Sequence, residues 1–151
     1  MSARSFPYLL LSLVWIAGCE QKPKLVYVPD GPLTVTLNAS ASASSVQQGE
    51  TVVLSVERRT TGNWKQVSIA EARGRCWFYA RPPEAESQVA DSVQWAVEPE
   101  NGVTFNSEYR FDHARLATMN VKGTITLTPV SEVPCEPDRS VEGPTLEIEV
   151  Q

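Results

Sequence analysis

The stretch "VQWAVEPENGVTF", residues 93–105, decides the fold. Val93, Trp95 and Val97 alternate with Gln94, Ala96 and Glu98, the period of a strand with one buried face. Pro99 interrupts the run, Glu100-Asn101-Gly102 is a turn signal, and Val103-Thr104-Phe105 opens a second strand. The same period recurs on both sides of this pair. Upstream, Leu33, Val35 and Leu37 alternate with Thr34, Thr36 and Asn38, and "TVVLSVERR", residues 51–59, puts Val52, Leu54 and Val56 on one face. Downstream, Leu116 to Val121 reads as a strand, "GTITLTPV" (123–130) aligns Ile125 and Leu127, and "TLEIEV" (145–150) aligns Leu146, Ile148 and Val150. About seven short alternating strands separated by turn signals specify an all-β, antiparallel sandwich. No long helical period competes with this reading, and the best helical candidate, Trp64 to Arg73, is short.

The N-terminus carries a different message. Met1 to Arg4 holds one cation and no acid, and Phe6 to Ala17 is almost wholly apolar. That order of charge, short apolar core and small residues is that of a secretory signal peptide. The run is too short for a permanent span, which needs about 20 residues. Ile16-Ala17-Gly18-Cys19 then resembles the lipobox of bacterial lipoproteins: a branched apolar residue, two small residues and a cysteine. The resemblance implies cleavage after residue 18 and a diacylglyceryl group on the Cys19 thiol. A single acyl chain binds membranes only marginally, so stable anchoring takes two or more. Residue 20 is Glu rather than the aspartate that often retains such proteins at the inner membrane. The expected place is therefore the bacterial cell envelope, at the outer membrane facing the periplasm. Residues 19–32, with Pro23, Pro29 and Pro32, read as a tether. Within it, Lys24 to Val28 is briefly strand-like and is placed to pack on the lower end of the domain.

Loss of residues 1–18 removes Arg4 and moves the formal charge from -5 to -6. An acidic chain of this size is a poor candidate for nucleic acid or for anionic headgroups. About 120 residues bury a real core without metals. Ala39 to Ser45, "ASASASS", is the one low-complexity stretch. Cys76 and Cys135 form an even pair in an exported chain, so a disulfide between them is expected. The chain has one histidine, His113, which argues against a Cys/His zinc cluster.

Residues 33–151 resemble bacterial immunoglobulin-like domains. The resemblance rests on "QGETVVLSV", on the tryptophan of "VQWAVEPENGVTF", and on the late "KGTITLTPV" and "PTLEIEV" strands. It implies a two-sheet sandwich. One departure stands out: the usual cystine joins the second and sixth strands, and neither carries a cysteine here. If Trp95 lies on the third strand, residues 60–91 are an insertion holding Cys76, and Cys135 lies between the last two strands. In an immunoglobulin sandwich those two connections share one end.

Catalytic chemistry finds little support. His113 beside Asp112 lacks a nucleophile elbow, and the acidic pairs Glu98/Glu100 and Glu84/Glu86 sit in loop-like sequence. No phosphate loop, dinucleotide fingerprint or calcium loop occurs. No enzymatic activity, cofactor or metal is expected. Binding is better served by "RGRCWFYARPP", residues 73–83, with three aromatics and three arginines. As a strand it turns Cys76 and Phe78 one way and Trp77 and Tyr79 the other. Trp77, Tyr79, Arg75 and Arg81 are candidate partner contacts, since Trp, Tyr and Arg are enriched at interface hot spots. The competing reading has the aromatics cap the sandwich and the arginines solvated. The expected role is a lipid-anchored binding or scaffolding module, held to the membrane through Cys19 and meeting a protein partner. An accessory subunit of a secretion or surface-assembly machine is an alternative. So is a carbohydrate-binding domain using Trp77 and Tyr79.

Overall fold

The computed structural model describes residues 22–87, 93–109 and 114–151. The lipobox, Cys19, Asp112 and His113 lie outside them. In chain order the strands are β1 (Leu25–Pro29), β2 (Thr34–Ala41), β3 (Ser45–Val46), β4 (Thr51–Thr61), β5 (Trp64–Ser68) and β6 (Ala85–Ser87). They continue with β7 (Val93–Glu98), β8 (Val103–Tyr109), β9 (Arg115–Met119), β10 (Gly123–Val133), β11 (Arg139–Glu142) and β12 (Leu146–Val150). A four-residue helix, α1 (Ile69–Ala72), follows β5.

Two sheets form a β-sandwich. The first runs β2-β4-β9-β8, and the second runs β7-β10-β12-β3 with β11 also on β10. Two strands of 11 residues, β4 and β10, span the body. Each is served on one edge by two short partners in succession. β4 pairs with β9 over Thr51–Leu54 and with β6 over Glu57–Arg59. β10 pairs with β12 over Gly123–Leu127 and with β11 over Val130–Val133. Pro129, which has no N–H to give a ladder, falls at the change of partner. Its carbonyl accepts the Gly143 N–H at 2.9 Å. Gly143 is there because a Cβ would lie 2.8 Å from Pro129 Cγ and 2.9 Å from Leu37 Cβ.

The low-complexity stretch ends β2 at Ala41, bends through residues 42–44 and opens β3 at Ser45. Ala39, Ala41 and Ala43 are half-buried and Ser40, Ser42 and Ser44 exposed, again at period two. Their small side chains let the chain cross from the first sheet to the second, where β3 pairs parallel with β12. The Ser42 hydroxyl accepts the Val53 N–H at 2.9 Å during the crossing.

The predicted faces make the core. Val52 and Leu54 of β4, Ala117 and Met119 of β9, Ile125 and Leu127 of β10, and Ile148 and Val150 of β12 close on one another between the sheets. Each of these side chains larger than Ala117 contributes about 1.5–3 kcal/mol on full burial. The turn at Glu100-Asn101-Gly102 is a single 3₁₀ turn, and Gly102 packs under Ile125.

Trp95 departs from expectation. It is half-buried rather than fully enclosed, because β7 is an edge strand paired, among the described residues, with β10 alone. It still touches both the central cluster and a second one built on Leu37, Val56 and Val93. Trp95→Ala is expected to cost about 2–3 kcal/mol, below the 3–5 of a fully buried aromatic. Urea denaturation checks this, and a midpoint unchanged from the parent would place the ring outside the cohesive core.

Candidate functional site

At the end of the sandwich where β2 starts and β4 stops, the two chains do not part. Pro29 and Trp64 face each other beyond the Thr34–Thr61 pair, and the β1–β5 ladder runs on from Pro29↔Trp64 to Leu25↔Ser68. The Asp30 N–H donates to the Asn63 carbonyl at 2.7 Å where the ladder resumes. Residues 25–29, expected within the tether, are therefore a strand, and the lower-end packing expected of them takes this form. "LVYV" is rich in β-branched and aromatic residues and finds a partner in β5. Val26 and Val28 have no exposure and pack on Ala72, Val67 and Trp77.

Trp64 to Arg73 is likewise not one helix. Pairing with β1 draws Trp64–Ser68 into a strand, and only one helical turn follows. Ser68 caps that turn: its hydroxyl accepts the Glu71 N–H, and the Glu71 carboxylate accepts the Ser68 N–H. The Ser68 backbone N–H and then its hydroxyl hold the Glu71 carboxyl below its usual range. Gly74, at φ +74°, turns the chain away after it.

Residues 76–79 then lie against β1. Tyr27 and Phe78 exchange backbone bonds of 2.7 and 2.8 Å, and the Trp77 N–H reaches the Pro134 carbonyl at 2.9 Å. The expected alternation holds. Cys76 and Phe78 face a cluster with Val35, Val133 and Cys135, while Trp77 faces Val26, Val28 and Ala72. Phe78 meets Trp64 edge to face at 5.3 Å. Cys76 is joined to Cys135 by a disulfide across 59 residues. The predicted insertion shrinks accordingly: β4 extends to Thr61, and β6 returns at Ala85 to pair with β4.

The four candidate contact residues divide. Arg75 is half-buried and structural: its guanidinium donates to the Pro29 carbonyl at 2.9 Å, and its own carbonyl accepts the Glu136 N–H. Trp77 is half-buried in the small cluster, and its ring stands at 88° to that of Tyr79, 5.0 Å away. The two rings thus offer no shared flat platform. Tyr79 is 67% exposed. Arg81 is exposed on the rim of an open cleft of about 400 Å³ with Trp64 and Glu84. Of the carboxylate pairs, Glu86 is bonded to Arg58, and Glu98 and Glu100 stand exposed on either side of Pro99. Among the described residues no three His, Cys, Asp or Glu side chains gather as a metal site would need.

Sequence reading missed Leu25, Ile69 and Lys24. The register sets Leu25 opposite Ser68, beside Ile69, at the tip farthest from the sandwich. Leu25 is 49% and Ile69 37% exposed. Lys24 holds its ammonium 5.7 Å from the centre of the Tyr79 ring. The result is a covalently stapled module whose tip mixes apolar, aromatic and cationic groups. The chain matches no protein-family model, no curated protein and no solved structure.

Proposed function

We propose that this chain is a lipid-anchored, non-enzymatic protein of the bacterial envelope whose immunoglobulin-like domain binds or scaffolds through its stapled end. The strand order supports the immunoglobulin-like reading. One sheet of β2, β4, β9 and β8 facing another of β7, β10 and β12 is the order of a seven-stranded constant-type sandwich, with a tryptophan on the third strand. The cystine serves the terminal module instead of bridging the two sheets.

The observation that carries the anchoring half is Ile16-Ala17-Gly18-Cys19 directly behind an apolar run. The outer membrane facing the periplasm is the place we favour, on Glu20. Against the carbohydrate-binding alternative stand the perpendicular rings of Trp77 and Tyr79.

Cys19→Ser is expected to abolish both membrane fractionation and incorporation of labelled palmitate in the full chain. A Cys19→Ser protein that still fractionates with membranes and takes up the label would overturn the proposal.

A further inference from the structure

We propose that the tip of the stapled module, built on Lys24, Leu25, Ile69 and Tyr79, seats on the anionic leaflet to which the chain is tethered. The inference rests on the anchoring reading above and names the partner of that same end.

Charge is the first observation. Residues 22–29 and 64–83 hold six cations, Lys22, Lys24, Lys65, Arg73, Arg75 and Arg81, and one acid, Glu71. Asp30, Glu84 and Glu136 border these segments, so the end as a whole carries +2 in a chain whose total is -5, and the remainder carries -7. The overall acidity that argues against anionic headgroups therefore describes the body and not this end. Two of the six are used locally, Lys65 with Asp30 at 3.5 Å and Arg75 on the Pro29 carbonyl. Glu136, at the inner border, accepts the Gly74 N–H. Lys22, Lys24, Arg73 and Arg81 are exposed and form no ion pair among the described residues.

Exposure is the second. Leu25, Ile69 and Tyr79 are the exposed large hydrophobic residues among those described, and all three belong to this module. Scattered singly they would need no explanation; gathered at one tip among cations they mark a contact surface. An aromatic ring with a polar end, aliphatic side chains and long cationic stems is the chemistry of the membrane interface, where apolar parts enter the acyl boundary and ammonium groups stay with phosphate.

Reach is the third. Leu25 stands six residues after Cys19, and an extended chain covers at most about 3.5 Å per residue, or about 20 Å. Lipid on Cys19 would hold the tip within that distance of the bilayer. Attraction of the basic tip and repulsion of the acidic body would act together to fix the domain upright.

The test uses the full lipidated chain in vesicles of phosphatidylcholine alone or with one-third phosphatidylglycerol. Hydroxyl-radical labelling of Tyr79 is read by peptide mass spectrometry, with Phe105 as the internal reference. Labelling of Tyr79 is expected to fall at least threefold on the phosphatidylglycerol vesicles at low salt. Phe105 should be unchanged, and a Lys24→Glu, Arg73→Glu variant should lose the protection. Equal labelling of Tyr79 on both vesicles overturns the proposal while lipid on Cys19 keeps the anchoring reading intact. So does protection in native envelopes but in neither vesicle, which would mean a protein partner. A Cys19 peptide without a diacylglyceryl mass overturns the anchoring reading itself.

Discussion

A Cys76→Ser, Cys135→Ser protein is expected to lose about 4 kcal/mol of stability on the chain-entropy model for a loop of this length. The covalent link spans 59 residues. Cys135 is 8% exposed and packs with Val35 and Val133, so a serine hydroxyl there also faces apolar neighbours. Without the link, the 76–79 segment keeps the paired Tyr27–Phe78 backbone bonds and the Trp77–Pro134 bond. Each contributes about 0.5–1.5 kcal/mol net, too little to hold the segment against local opening. Trypsin should then cut between Arg73 and Arg81, while the strands, which have their own core, keep their β-sheet circular dichroism. An unchanged tryptic pattern and melting temperature would show that the small Val26–Val28–Ala72 cluster holds the module without the staple.

The sandwich was legible because its strands carry their own period. Val52, Leu54 and Val56, or Ile125 and Leu127, announce a buried face whatever lies opposite. The strands that escaped reading are of two kinds. β3, β6 and β11 have two to four residues, too few for any period to register. β1 and β5 are long enough, but β1 registers only as a brief strand-like stretch within the tether, and β5 looks unlike a strand alone. β1 ends on Pro29 between Pro23 and Pro32, prolines that read as tether, and "WKQVS" has no clean alternation. Only their pairing makes them strands, and their partners lie about forty residues apart in the chain.

The same separation hid the site. Its disulfide was legible from parity in a chain whose N-terminus reads as an export signal. Its charge was not, because two of the six cations lie before the sandwich and four after β4, each group diluted by the acidic body. The alternation of residues 76–79 was readable, but not that Trp77 would be half-enclosed and Arg75 engaged by the Pro29 carbonyl. Trp95 shows the converse limit. Period two correctly assigned its face, but whether a strand stands at an edge is a property of the sheet.

Leu127→Ala is expected to cost about 3–5 kcal/mol, the upper part of the range for deleting a buried leucine. Leu127 has no exposure and sits in the middle of β10. Its backbone neighbours are fixed on both edges, opposite Leu146 in β12 and Val97 in β7. Across the sandwich it faces a layer made by Val52, Leu54, Ala117 and Met119. A strand laddered on both sides cannot slide inward, so the cavity left by the missing atoms stays largely open, and the cost of a cavity grows with the volume that fails to collapse. Leu25→Ala supplies the contrast. The same atoms are removed from a side chain 49% exposed at the tip of the module, where the change in water should stay within about 0.5 kcal/mol. Guanidinium denaturation of the two variants, with slopes equal to the parent's, measures the difference. Equal losses at both positions would mean that the cohesion of the domain is not concentrated between the two sheets.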